Sequence, residues 1–272
     1  MYRVSNKLHG LVILEDSDIE NYINSGEEIR CEIVQAMGMS HREKYLQYLY
    51  PVLYHEMDYM RRDAAWAIFN LNGQKSLPEL KKREAMIEEE DLQCEPSEKG
   101  MLRAMILRLE EGIEATKSYF LSEGYSIIKY DIHACYGSGY PYQEEDVELL
   151  CFLLEHTINK SADWIRKLPR TDYNEMIYFT LESISYAGAE MDLLCKLNDD
   201  LSERICALCE SLMAQRISND TKELIAQISQ YMKEEYAIRI LRLLKDHVKG
   251  DAKRAYKKAL KKWQIEEEEL YK

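Results

Sequence analysis

The stretch YHEMDYMRRDAAWAIFNLNG, residues 54–73, sets a His-Glu pair, an Asp and two Arg in front of an almost uninterrupted apolar run. Its first half suits either a cluster of metal-ligating or catalytic side chains, or the turn between two packed helices. The second half separates these readings. Residues 64–69 are apolar all round a helix, which calls for burial against more than one neighbour. Within that run Ala64, Ala65 and Ala67 let backbones approach closely. Asp58 stands where a helix N-cap is expected, and Arg62 can bridge from the first turn to a neighbouring turn. Helix stacking therefore accounts for the stretch. Tyr54, Tyr59 and Arg61 flank the turn and are positioned to border a ligand surface.

Composition points the same way. The 272 residues are 46% hydrophobic and 31% charged, with 11 Gly and 5 Pro, too few for a turn-rich β protein, so an all-α chain is expected. The first apolar run, LVIL at 11–14, is too short for a signal-peptide core, and no run approaches the roughly 18 apolar residues of a membrane span. A soluble cytoplasmic protein without membrane association is expected. Its seven scattered cysteines suit reduced thiols. Cys206 and Cys209 of CALC fall one turn apart among Ile205, Leu208 and Leu212 and read as core, and no cofactor or metal set assembles around them.

The helical pattern recurs along the chain. In EEYAIRILRLLKDHV, residues 234–248, Ala237, Leu241, Leu244 and Val248 form one stripe, and after KGD a second amphipathic helix follows in AKRAYKKALKKWQ. Other pairs are expected at 43–56 with 59–71 and at 191–197 with 201–215. Single helices are expected at 78–89, 98–121, 145–159, 173–187 and 220–232, two shorter ones within 11–37, and no strand. Three turns share an acid followed by Arg: Asp58 with Arg62, Asp200 with Arg204, and Asp251 with Arg254. In these residues the chain resembles the HEAT-like repeat family, in which an acidic turn residue and an Arg precede an Ala-rich helix. The resemblance covers about a third of the chain. It implies an all-α, HEAT-like superhelix, a single solenoid over 1–272 with a sub-boundary at 88–100 or 122–143.

Candidate sites follow from what stacking leaves over. Some HEAT-repeat hydroxylases bind two irons through several His-Glu dipeptides; here His55-Glu56 is single and Glu155-His156 is reversed, so no di-iron site is expected. DIHAC brings Asp131, His133 and Cys135 together without partners elsewhere, and no phosphate loop, GxSxG or HExxH occurs. Residues 122–143 interrupt the helical pattern with five Tyr, of which Tyr136, Tyr140 and Tyr142 offer half-polar interface surfaces. Twenty Tyr against 4 Phe extends that bias to the whole chain.

The net charge of −13 repels nucleic acid and favours a basic partner. Between Lys233 and Lys262 there are 11 basic and 4 acidic residues, a local +7, so the rest carries −20. The expected function is non-enzymatic protein binding through an acidic, Tyr-rich surface, for example neutralisation of a basic toxin domain by an immunity protein. The alternative is a DNA-binding repair factor resembling the HEAT-like alkylpurine DNA glycosylases, gripping phosphates through the Lys-rich C-terminal helix.

Overall fold

The computed structural model describes residues 2–6, 10–89, 96–122, 143–189, 192–268 and 270. Among them the chain is helical apart from one N-terminal hairpin, and it divides into two compact units, Met1–Gly139 and Tyr140–Lys272. The division falls within the stretch 122–143.

The first unit opens with β1 (Tyr2–Asn6) and β2 (Gly10–Leu14), antiparallel, with Tyr2 opposite Leu14 and Asn6 opposite Gly10. The expectation of no strand is corrected here. LVIL is too short to show a helical period, and its Val and Ile fit the pleated backbone of a strand. Helix α1 (Asp16–Ser25) starts at a capping box in which the Asp18 carboxylate accepts from the Glu15 N–H, and it stops at Gly26, whose φ of 68° is left-handed. The Tyr2 hydroxyl donates to Asp16 at 2.5 Å, tying the hairpin to α1.

Helix α2 (Cys31–Met39) is buried from Ile33 to Met39 and packs against α4 (Asp58–Asn72). Between them the expected helix 43–56 is a chain of short pieces. A 3-10 turn (Glu43–Tyr45), the single-turn α3 (Leu46–Leu49) and a second 3-10 turn (Tyr50–Tyr54) succeed one another, with Pro51 at the start of the last. Pro51 has no N–H to donate, which favours the tighter turn over continued α-helix.

All six residues 64–69 are buried, and α4 touches α2, α3, the 3-10 turn before it and α6, as an all-round apolar helix requires. Trp66 and Phe69 meet edge to face with centroids 5.5 Å apart. Helices α5 (Leu77–Glu89), α6 (Pro96–Glu111) and α7 (Ile113–Ser122) complete the described part of this unit. The single helix expected over 98–121 is in fact two. Gly112 sits at φ 88°, a conformation that stops α6 and that a side chain would resist.

In the second unit, helices α8 (Glu144–Ile158), α11 (Asp199–Met213) and α13 (Glu234–Leu244) pack in succession as one row. Helices α10 (Arg170–Ala189), α12 (Asn219–Ser229) and α14 (Gly250–Trp263) form a second row. The rows meet through α8 with α10, α12 with α13, and α13 with α14. The single-turn α9 (Asp163–Arg166) links α8 to α10. Of the helix expected at 191–197, the described residues form only a 3-10 turn, Leu194–Lys196.

This two-row order follows from the amphipathic stripes. On α14 Ala252, Ala255, Tyr256, Ala259 and Leu260 are buried, while Lys253, Lys257, Lys258, Lys261 and Lys262 are exposed. Close approach in the second row depends on Gly188: a Cβ there would lie 2.4 Å from the Tyr231 Cβ. No helix of the described residues is long and apolar enough to cross a membrane.

Candidate functional site

The residues marked out by the repeat pattern act mostly as braces, with two roles exchanged. The N-cap of α4 is Met57, not Asp58, which is the first helical residue and pairs with Arg62 on its own helix at 3.3 Å. Arg61, expected at a ligand surface, is buried instead. Its Nε donates to Glu98 at 2.8 Å and its Nη1 to the carbonyls of His55 and Glu56 at 2.7 and 2.8 Å. Arg83 donates to the other oxygen of Glu98 at 2.8 Å, so a buried carboxylate on α6 joins α4 to α5.

In the second unit Asp200 is exposed. Arg204 reaches across to Glu155 of α8 at 2.6 Å. Asp251 and Arg254 pair on their own helix, both exposed. The buried thiols of Cys151, Cys206 and Cys209 behave as core, and burial pushes the first two up to about 12. Tyr136, Tyr140 and Tyr142, with Asp131, His133 and Cys135, lie outside the described residues. Tyr54, at the end of the 3-10 turn before α4, and Tyr59, in the first turn of α4, are exposed.

Charge is distributed differently over the two rows of the second unit. The first row is laced: Glu155 holds Arg204, and Glu203 and Glu210 both hold Arg239, at 2.6 and 2.5 Å. At its edge Asp199 holds Lys233 at 2.5 Å. On the second row Glu182, Asp220 and Glu223 border one groove of about 480 Å³ with Tyr178, Tyr186, Leu224 and Gln227, and none of these three acids has an ion-pair partner among the described residues.

The groove is built by helix periodicity. Tyr178, Glu182 and Tyr186 occupy i, i+4 and i+8 of α10 and so share one face. Both phenols line the groove with Glu182. Opposite them, Asp220 lies in the first turn of α12, whose N-terminus favours negative charge, and Ser218 caps that helix by accepting from Thr221 N–H at 3.1 Å. Gln227 fixes the floor, donating to Glu223 at 3.1 Å while accepting from Ser185 at 3.3 Å. A second hollow of about 270 Å³ shares Glu223 and Gln227 and continues to Tyr231, Asp251, Arg254 and Lys258 on the α14 side.

Burial raises the Glu182 carboxyl above the usual carboxylate range, opposed in part by the hydroxyls of Tyr186 and Tyr178. Burial likewise raises Tyr178, helped by the charges of Glu182, Asp220 and Glu223. Chemically the groove offers negative charge between aromatic faces and lacks a nucleophile beside a base. A Lys or Arg side chain fits that chemistry, because carboxylates pair with it and rings attract it through cation–π contact. Among the described residues no group of three or more His, Cys, Asp or Glu is arranged to hold a metal.

Sequence reasoning did not find this groove. The signal was available as an aromatic–acid–aromatic series at helical spacing, followed by two acids at the start of the next helix of the row. It was hidden among 20 Tyr and 49 acidic residues. No protein-family model, curated protein or solved structure matches the chain.

Proposed function

We propose that the protein is a non-enzymatic, HEAT-like helical-repeat binding module whose second unit takes a basic segment of another protein into the α10–α12 groove. The observation that carries this reading is the set of carboxylates without an ion-pair partner among the described residues, Glu182, Asp220 and Glu223, beside Tyr178 and Tyr186, next to a row in which Glu155, Glu203 and Glu210 are paired. Removing charges from water without partners is costly, so acids held open beside aromatic faces suit an incoming cation. The succession of helices in two rows supports the repeat reading.

A fluorescein-labelled Lys- and Arg-rich peptide tests it by fluorescence anisotropy. Saturable binding is expected, weakened about tenfold or more in the triple variant E182Q/D220N/E223Q, since charge-assisted contacts contribute about 1.5–3 kcal/mol each. Equal binding of a Glu-rich counterpart, or full binding by the triple variant, overturns the proposal. A DNA-binding repair role is favoured by one observation, the five exposed lysines of α14. Under that reading a low-salt gel shift with duplex DNA should depend on those lysines and leave the peptide result negative.

A further inference from the structure

The first unit carries an apolar surface that the groove does not use. Five large apolar side chains are prominently exposed among the described residues, Ile13, Tyr48, Tyr54, Met57 and Tyr59, and four of them fall within residues 48–59. Isolated exposed apolar residues are ordinary on any surface; three of them, Tyr54, Met57 and Tyr59, within six residues are not.

This turn is also held from beneath. Arg61 donates to the carbonyls of both His55 and Glu56, and its guanidinium is itself fixed by the buried Glu98. On the surface the Met57 N–H donates to His55 Nδ1 at 3.1 Å, and the Tyr59 hydroxyl donates to the Met57 sulfur at 2.8 Å. The thioether and the phenol ring are therefore placed before any partner arrives, which lowers the entropy lost on binding.

The charges around Met57 and Tyr59 have one dominant sign. Glu28 faces His55 Nε2 at 3.8 Å with its carboxylate open to solvent, Glu56 beside His55 in the chain is exposed, and burial, with the charges of Asp58 and Glu32 among the lesser causes, raises the Tyr59 hydroxyl. Arg62 is drawn to Asp58, and Lys82 stands on the Tyr54 side beside Glu79.

We infer that the turn of residues 54–59 is a second docking surface, which anchors an apolar side chain of a protein segment that also carries Lys or Arg. The apolar anchor is Met57 with Tyr59, and the surrounding carboxylates select the basic flank. The inference is independent of the groove, because it rests on other residues in the other unit.

The experiment uses the full chain with the groove already neutralised as E182Q/D220N/E223Q, so that only the turn remains to bind. A fluorescein-labelled peptide alternating Leu and Lys is titrated against it, and a Leu/Glu peptide serves as the charge control. Saturable binding of the Leu/Lys peptide is expected, with protection of amides 54–59 from hydrogen exchange. Adding M57S/Y59S should weaken it about tenfold, with an unchanged circular dichroism spectrum because both side chains are exposed. Binding indifferent to M57S/Y59S overturns the inference, as does equal binding of the Leu/Glu peptide. Sedimentation showing a dimer that M57S/Y59S dissolves would also overturn it, since the surface would then serve a second copy of the chain.

Discussion

Glu182 is the residue where groove chemistry and stability are most directly linked. Its carboxyl is raised chiefly by burial, so the folded chain holds that proton more tightly than the unfolded chain does. The sign follows. Below the unfolded value both states are protonated and nothing is lost. As pH rises through the folded value, ionisation of Glu182 costs stability that persists at neutral pH. Glu182→Gln should therefore raise the melting temperature at neutral pH and change it little in acid, where wild type and variant are both uncharged at this position. Thermal melts at several pH values check this. In the proposed complex, the same shift should make the basic peptide leave at a higher pH on acidification than ordinary Glu would dictate. His156 adds a separate acid sensitivity: burial holds it below the usual imidazole range, and its Nδ1 has no hydrogen-bond partner among the described residues.

At the scale of the helix, one position decides between brace and surface. Arg61 and Arg62 are adjacent and chemically identical, yet about 100° apart around α4, so the first is buried on Glu98 and the second pairs with Asp58. The acid-to-Arg spacing pointed to Arg62; which Arg faces α6 is set by the rotation of α4 against its neighbours, and that is tertiary. Helix existence was legible for the same stretch because residues 64–69 cannot be solvated. Gly112 was legible only as one Gly in a helical pattern, since its φ of 88° depends on where α6 must end. The buried network also differs in worth from the exposed pairs. Glu98→Ala strands Arg61 and Arg83 without their carboxylate and should cost about 3–5 kcal/mol in urea denaturation. Asp251→Ala removes an exposed pair with Arg254 and should stay within about 0.5 kcal/mol.

For the whole molecule, the two units each bury a core of their own. The second, with six full helices in two rows and the groove on one of them, contains what the proposed binding needs. Residues 143–272 expressed alone should give a helical circular dichroism spectrum with a cooperative melt, and should bind the basic peptide as the full chain does. A non-cooperative melt would show that this unit depends on the first. The composition anticipated a helical chain, yet it could not show where the negative charge is left open. That depends on which acids meet a basic side chain once the helices pack, as Glu155 meets Arg204 and Glu203 and Glu210 meet Arg239.

The carboxylates left open on the second row also determine how the protein senses its ionic surroundings. Glu182, Asp220 and Glu223 repel one another across the groove, and dissolved salt shields that repulsion. Salt equally shields the attraction that would draw in a basic segment. Around the groove, then, fold and the proposed binding should respond to ionic strength in opposite directions, and a basic segment bound there would take the place of the ions by relieving the repulsion itself.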